Sequence, residues 1–326
     1  MVRILSDADV SAVLELEELL PVVETAFEKQ YRGEVERPER PHYPLGTGLD
    51  ADDPDTALGT GLCMPAYIHG NAYAATKLVA VHEANPNRGL PTVLAQIALT
   101  DAETGTPVGY MAGTRITNAR TGCIGGLAAR ELAVDGPIDL GVIGAGTQAR
   151  WQTRAIDAAT NLASVRVYSP SDSSVACAAD LADELDVPTE SVSSPRDAVE
   201  NASVVVTATT STTPVFPGDA LAPGTLVIAV GAYTETMREL DDETIDRANR
   251  VFADVPSEAV ETGDLRPWPD LEPTPFGGLF AGEEGRTDDD EILVLESVGT
   301  AVLDAATAEH VHTRASETDG GTLVSL

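Results

Sequence analysis

The sequence predicts an α/β fold organised around a doubly wound parallel sheet, and three observations carry that prediction. From Pro137 onward, short apolar strands alternate with helical patterns, the signature of parallel strands joined by helical crossovers. The first of those strands, "IDLGVIG", runs directly into a glycine turn that opens a helix. The preceding residues, 62 to 113, read as consecutive strands without helices between them, which marks them as a separate piece. At 326 residues the chain is long enough for two domains, each with its own core.

In order along the chain, the start reads as helical, with Ser6 and Asp9 in a capping-box pattern. Pro21 is placed to begin a second helix and Gly33 to end it. "VERPERPHYPLG" is extended and punctuated by proline, and the Gly- and Asp-rich residues 46 to 61 form a loop. "AYAATKLVAV" and "TVLAQIALTD" are strands, and "DAETGTPVGY" supplies two short strands around a glycine turn. "RITNARTGCIGGLAARELA" is a helix with small residues on one side, suited to close packing or to close approach of a ligand. Beyond Pro137, "IDLGVIG", "SVRVYS", "ASVVVTAT", "GTLVIAVG" and "ANRVFADV" are strands; "TQARWQTRAIDAAT" and "SVACAADLADEL" are helices. The last long segment, "LVLESVGTAVLDAATAEHVH", is read as one helix reached through an acidic loop.

Composition excludes several functions. With 53 acidic against 20 basic residues the net charge is -33, so phosphate backbones and anionic membrane surfaces would be repelled. Only two lysines are present, Lys29 and Lys77. Acid excess with lysine scarcity fits a halophilic protein in molar salt, where the Debye length falls to about 3 Å and carboxylate repulsion is screened. Cys63, Cys123 and Cys177 are scattered and form no CxxC pair, which suggests small buried hydrophobes instead of zinc ligands or disulfides. "MVRILSDADV" lacks a signal-peptide apolar region, and no run approaches the roughly 18 apolar residues of a membrane span; a cytoplasmic location is expected.

The motif with most chemical content is "GVIGAGTQA". Gly144, Gly146 and Ala149 fit G-x-G-x-x-A between a strand and a helix, the context in which backbone N–H groups approach a pyrophosphate. Gly144, Gly146, Thr147, Gln148 and Ala149 are therefore candidate dinucleotide-binding residues. At the end of the next strand, an Asp or Glu would hydrogen-bond the ribose of NAD; Ser169 stands there instead, with Ser171 and Asp172 following and no nearby Arg. NAD is the expected cofactor, with NADP possible.

Four cations of the first half, Arg40, Lys77, Arg115 and Arg120, could hold a substrate carboxylate. An arginine taken at random here pairs with surface acids. Lys77 differs, because it lies mid-strand in a chain that has shed lysine. Buried there, it could have a lowered pKa and move protons near neutrality. His42, His69 and His82 have no metal-ligand spacing, and no metal site is expected.

Together "MPAY", "TKLVAVHEANPNRGLPT", "DAETGTPVGYM", "ITNARTG", "GVIGAGTQA", "VVTATTSTTPVF", "AVGAY" with "RELDDE", and "ILVLESVGTAVLD" resemble the ornithine cyclodeaminase and mu-crystallin family, which includes archaeal alanine dehydrogenases and ketimine reductases. The resemblance implies a Rossmann NAD(P)-binding domain over residues 117–303. It also implies a discontinuous α+β domain, 1–116 with 304–326, that binds substrate and makes a homodimer. Arg40, Lys77 and Arg120 would hold the substrate carboxylate and serve the reaction. Thr121 and Gly122 would lie near the cofactor, with Thr209, Ser211, Val230 and Ser297 lining its site.

Two carboxylates that ornithine cyclodeaminases use for the substrate's amino groups are replaced here by Leu62 and Tyr233, although Glu235 could compensate. A long diamino acid would leave an ammonium unpaired, which favours a smaller substrate. The leading expectation is oxidoreduction between an amino acid and its imine or keto acid, with alanine and pyruvate first. Ornithine cyclodeamination is the alternative, followed by a ketimine reductase or a non-catalytic NADPH-dependent binder.

Overall fold

The computed structural model describes residues 1–325. In chain order the first elements are β1 (Val2–Leu5), α1 (Asp7–Ser11), α2 (Leu16–Tyr31), β2 (Val35–Glu36), β3 (His42–Leu45) and β4 (Gly59–Ile68). Next come β5 (Tyr73–Val81), β6 (Val93–Asp101), β7 (Pro107–Ala112), α3 (Thr114–Leu132), β8 (Ile138–Ile143) and α4 (Thr147–Ala159). They are followed by β9 (Leu162–Tyr168), α5 (Ser173–Glu184), β10 (Thr189–Ser191), α6 (Pro195–Val199), β11 (Val204–Thr207) and β12 (Leu226–Ala229). The chain closes with α7 (Asp242–Arg247), β13 (Arg250–Ala253), α8 (Pro256–Ala259), β14 (Thr274–Pro275), β15 (Leu293–Glu296), α9 (Ala301–Glu317) and β16 (Thr322–Val324).

One compact unit is assembled from Met1–Glu15, Arg32–Arg120 and the residues from Ala301 on. Its sheet runs β16-β1-β7-β6-β5-β4-β2, with β3 also on β4. Strands β4 to β7 form an antiparallel meander, and β1 joins β7 in parallel. Alternation puts Ala75, Lys77 and Val79 of β5 on the buried face, beside Met64 and Ile97 in the neighbouring strands. Helix α9 lies over β4 and β5. The opposite face presents Ile4, Leu78, Leu94 and Tyr110 as exposed side chains.

The start is not wholly helical: Val2–Leu5 is a strand, and the Ser6 and Asp9 capping box opens the short helix after it. Pairing with β7 on one side and β16 on the other holds these residues as a strand, with Val2 and Leu5 both buried.

The second unit comprises Leu16–Tyr31 and Thr121–Thr300. Its sheet has the order β10-β9-β8-β11-β12-β15-β13-β14 and is parallel throughout. The chain winds outward from β8 through β9 to β10, then starts again on the other side of β8 with β11. This is the doubly wound Rossmann arrangement, with its switch point between β8 and β11. The central strands are buried along their whole length and apolar apart from Thr207 and Glu296 at their ends, as expected for a sheet covered on both faces.

Three sequence expectations change here. The unit bounds differ from 1–116, 117–303 and 304–326, chiefly because α2 clusters with the second unit. There Phe27 stacks edge-on against Phe276 at 5.1 Å and lies 6.1 Å from Phe280. Helix α2 also begins at Leu16, so Pro21 sits inside it; the apolar stripe Leu19, Leu20, Val23, Ala26 and Phe27 outweighs one lost backbone hydrogen bond. Finally, "LVLE" is strand β15, wholly buried between β12 and β13, and the C-terminal helix starts only at Ala301. Gly299, at φ +77°, makes the break between them.

Candidate active site

The expected cofactor residues fall at the carboxyl ends of the parallel strands, the edge where doubly wound sheets bind ligands. Gly144 and Gly146 follow β8, Ser169 follows β9, Thr209 and Ser211 follow β11, Val230 follows β12 and Ser297 follows β15. Gly144 has φ +113°, and a Cβ there would lie 2.5 Å from the Ala208 carbonyl oxygen. This position therefore requires glycine. At Gly146 a Cβ would meet nothing within 4 Å. Gly146 caps α4 without a side-chain hydrogen bond, so the first-turn N–H groups of this 13-residue helix have no side chain capping them there. An open, glycine-floored helix terminus at the switch point fits a pyrophosphate.

Thr147, Gln148 and Ala149 form the first turn of α4. Thr121 is tied to α4 by Gln152 Nε2, which donates to its carbonyl at 2.8 Å. Gly122 serves close helix packing, since a Cβ would lie 2.6 Å from the Trp151 carbonyl oxygen. Ser169 belongs to a hydroxyl trio, with Ser169 Oγ 3.0 Å from Ser173 Oγ and Ser171 Oγ 2.8 Å from Ser173 Oγ. No carboxylate takes part in those contacts. Ser297 is buried and donates to Asp254 Oδ2 at 2.8 Å.

In the other unit, β5 delivers Lys77 beneath α9. Lys77 Nζ lies 2.6 Å from Asp304 Oδ2, and Arg120 Nε donates to Asp304 Oδ1 at 2.9 Å. All three side chains are sealed, at 2%, 5% and 1% exposure for Lys77, Arg120 and Asp304. Burial pushes the Lys77 ammonium down to about 8; the Asp304 carboxylate opposes this, while the charges of Arg120 and Arg40 reinforce it. Burial alone would raise the Asp304 carboxyl, but Arg120 and Lys77 outweigh it and hold it below the usual range. Lys77 and Arg120 thus share one carboxylate, and the second positive charge is what an anion would neutralise. Sequence reasoning brought Lys77, Arg120 and Arg40 forward and missed Asp304. A signal existed, because Asp304 is the only acid in the twelve-residue stretch "SVGTAVLDAATA" of a very acidic chain.

Arg115 stays out of this cluster and pairs with Asp7 at 2.9 Å on the surface. His69 meets Glu36 at 3.0 Å, and His82 Nδ1 meets the Leu58 carbonyl oxygen at 3.0 Å. Leu62 pairs with Val79 in the sheet, Tyr233 is 43% exposed, and Glu235 forms an exposed ion pair with Arg266. Among the described residues no His, Cys, Asp and Glu group could hold a metal, the three cysteines are free thiols, and no helix is long and apolar enough to cross a membrane.

Comparison with known proteins agrees with this architecture. The sequence model of the ornithine cyclodeaminase/mu-crystallin family matches residues 2–319. Alanine dehydrogenase of Archaeoglobus fulgidus is 30% identical over 332 residues, covering 99% of this chain and 98% of its own. The structure of Thermococcus litoralis Δ1-pyrroline-2-carboxylate reductase with NADH and L-proline superposes with a TM-score of 0.91 at 31% identity, covering 99% of this chain and 100% of the other. An archaeal alanine dehydrogenase dimer with bound NAD gives a TM-score of 0.90 at 29% identity, covering 100% and 99%. Fold and site thus define an enzyme of the NAD(P)-dependent oxidoreductase class. The chain belongs to the ornithine cyclodeaminase/mu-crystallin family.

Proposed function

We propose that this enzyme interconverts a small α-amino acid and its imino or keto acid, with alanine and pyruvate as the leading pair. The observation that carries the reading is the buried Lys77–Asp304–Arg120 cluster with the charge of Arg40 acting on it. An α-carboxylate is the group that such a cation excess selects. Arg120 and Arg40 bind it, and fixing the carboxylate fixes the orientation of the α-carbon. Asp304 keeps Lys77 and Arg120 in place.

The open glycine turn after β8, with Gly144 and Gly146, would hold a nicotinamide cofactor, which would supply hydride acceptance or donation for the α-hydrogen. Lys77 handles the protons. In the oxidative direction, neutral Nζ takes a proton from the water that adds to the imino carbon. It then returns that proton to the departing nitrogen and takes the hydroxyl proton as the carbonyl forms, leaving keto acid, ammonia and the Lys77 ammonium. With a pKa of about 8, roughly a tenth of Lys77 is neutral at pH 7, a poise suited to moving protons both ways.

The similarity to the Δ1-pyrroline-2-carboxylate reductase bound to L-proline supports a second reading, reduction of a cyclic imino acid, with the same carboxylate clamp and the same proton donor. Cyclodeamination of ornithine is disfavoured by Leu62 and Tyr233 and by the engagement of Glu235 with Arg266. The exposed apolar sheet face of Ile4, Leu78, Leu94 and Tyr110 supports a homodimer formed there, as does similarity to a dimeric dehydrogenase. The deciding experiment follows NADH and NADPH oxidation in molar KCl with pyruvate plus ammonium, Δ1-pyrroline-2-carboxylate, or neither. Turnover with pyruvate and ammonium is expected. Turnover only with the cyclic imine selects the second reading, and inactivity with both rejects the two together.

A further inference from the structure

We propose that Glu239 is a positioning residue of the dinucleotide site, its carboxylate tying the loop that follows β11 to the loop that follows β12. This rests on the dinucleotide reading above. Glu239 is fully buried. Its Oε1 accepts the Thr209 N–H at 2.6 Å. Its Oε2 accepts the Gly231 N–H at 2.8 Å and the Thr207 hydroxyl at 2.9 Å. Thr207 ends β11, Thr209 lies two residues beyond it, and Gly231 lies two residues beyond β12. One side chain therefore fixes two adjacent strand ends on the edge that carries the candidate cofactor residues Thr209 and Val230.

The fit leaves no slack. A Cβ on Gly231 would come 2.5 Å from Glu239 Oε1, so only glycine lets the carboxylate in. The Glu239 backbone is itself pinned: its N–H donates to Asp264 Oδ1 at 2.7 Å, and its carbonyl accepts the Val215 N–H at 2.8 Å. Asp264 accepts the Leu240 N–H as well, at 2.7 Å.

The Thr209 and Gly231 N–H groups can only donate, and the Thr207 hydroxyl donates here, so the clasp is suited to a carboxylate, which accepts all three. Burial raises the Glu239 carboxyl to about 7 despite those donors, and the charge of Asp264 adds to the rise. Around it stand Asp264, raised to about 6, and Glu296, raised well above the usual range by burial and by Asp264, Glu239 and Asp254; Arg238 acts in the opposite sense on Asp264. A proton on Glu239 has a partner only if the Thr207 hydroxyl turns from donor to acceptor, and the Thr209 and Gly231 N–H contacts then lose the negative charge that strengthens them. The loops then hold their bound geometry for a smaller fraction of the time, and apparent affinity falls with that fraction.

The test is NADH affinity of the full chain in molar KCl, by fluorescence titration without amino-acid substrate, across pH 6 to 8. The native protein should lose up to about ten-fold in affinity as pH falls from 8 to 6. Glu239→Gln, whose amide presents donors to donors, should bind about ten-fold more weakly at pH 8 and with little pH dependence. Glu239→Asp should restore part of the slope. Equal affinity and equal slope in native protein and Glu239→Gln overturn the clasp alone. If Glu239→Gln does not fold, the native profile decides, and a flat one overturns the proposal. Failure of the native protein to bind NADH or NADPH at any pH overturns the dinucleotide reading and the clasp with it.

Discussion

Lys77 Nζ lies 2.6 Å from Asp304 Oδ2, and both side chains are buried. The pair is held from the other side by Arg120, on the second oxygen of the same carboxylate. A lysine in that setting is neither a plain surface charge nor a fully neutralised one, and its chemistry can be tested directly.

Lys77→Ala should lower turnover by at least about a hundred-fold, the lower range for loss of a general acid–base group. NADH binding should persist, because the glycine turn after β8 is untouched. In the native enzyme amino-acid oxidation should rise as pH passes through about 8, where Lys77 becomes neutral, and imine or keto-acid reduction should decline over the same interval. Full activity of Lys77→Ala would falsify the assignment of Lys77 as the proton carrier.

Asp304→Asn leaves two buried cations facing each other without their counter-charge. Loss of one partner of a buried ion pair costs about 3–5 kcal/mol, so thermal denaturation should show a large drop in Tm. If the variant folds, the Lys77 ammonium should sit lower than in the native protein. The pH midpoint of the oxidative rate should then move to lower pH. A midpoint that does not move would mean that Asp304 does not act on Lys77 during catalysis.

The hydroxyl trio of Ser169, Ser171 and Ser173 offers donors and no carboxylate where adenosine ribose is expected. NADPH should therefore be used within about ten-fold of NADH, and Ser169→Asp should shift preference toward NADH by a further ten-fold or more, since like charges disfavour the 2′-phosphate. Steady-state KM and kcat for both cofactors check this. Strong native rejection of NADPH would count against it.

Glu239, Asp264 and Glu296 all have carboxyls raised above their ordinary values. A raised acid adds stability that is complete below its unfolded value and is lost as pH rises through its folded one. For Glu239 the shift from 4.5 to about 7 corresponds to about 3 kcal/mol. Stability without cofactor should therefore decline between about pH 4.5 and 7, opposite in sign to the expected gain in NADH affinity. Calorimetric scans at constant salt measure it; an unchanged Tm across that interval would remove the three carboxyls from the stability balance.

Salt provides a fifth test. With a net charge of -33, the folded chain should lose structure as KCl is lowered from 3 M to 0.1 M. Far-ultraviolet circular dichroism that stays unchanged over that range would argue against adaptation to molar salt.

Much of this was legible in the sequence for identifiable reasons. The strand–glycine–helix unit at Gly144 was readable because its turn, its φ requirement and its helix terminus are local. Lys77 stood out because composition made lysine rare, and the family resemblance narrowed the candidate arginines Arg40, Arg115 and Arg120 to Arg40 and Arg120. Asp304 did not stand out, since its partner is 227 positions away in sequence and acids are abundant. Glu239 was hidden among the other acids of "RELDDE". "LVLE" was misread because four buried apolar-rich residues have too short a run to reveal a period, and the helix after Gly299 drew them into its pattern. Pro21 misled because the apolar stripe on both sides of it prevailed over the lost hydrogen bond.

The position of Asp304 on α9 has a consequence for how the enzyme is made. The carboxylate that offsets Lys77 and Arg120 comes 227 residues after the first and 184 after the second. A ribosome that has translated β5 and α3 has produced two cations destined for burial and no partner for them. The buried cluster of the first unit can be completed only when α9 has been made, so translation order itself delays the burial of Lys77 and Arg120 until that helix emerges.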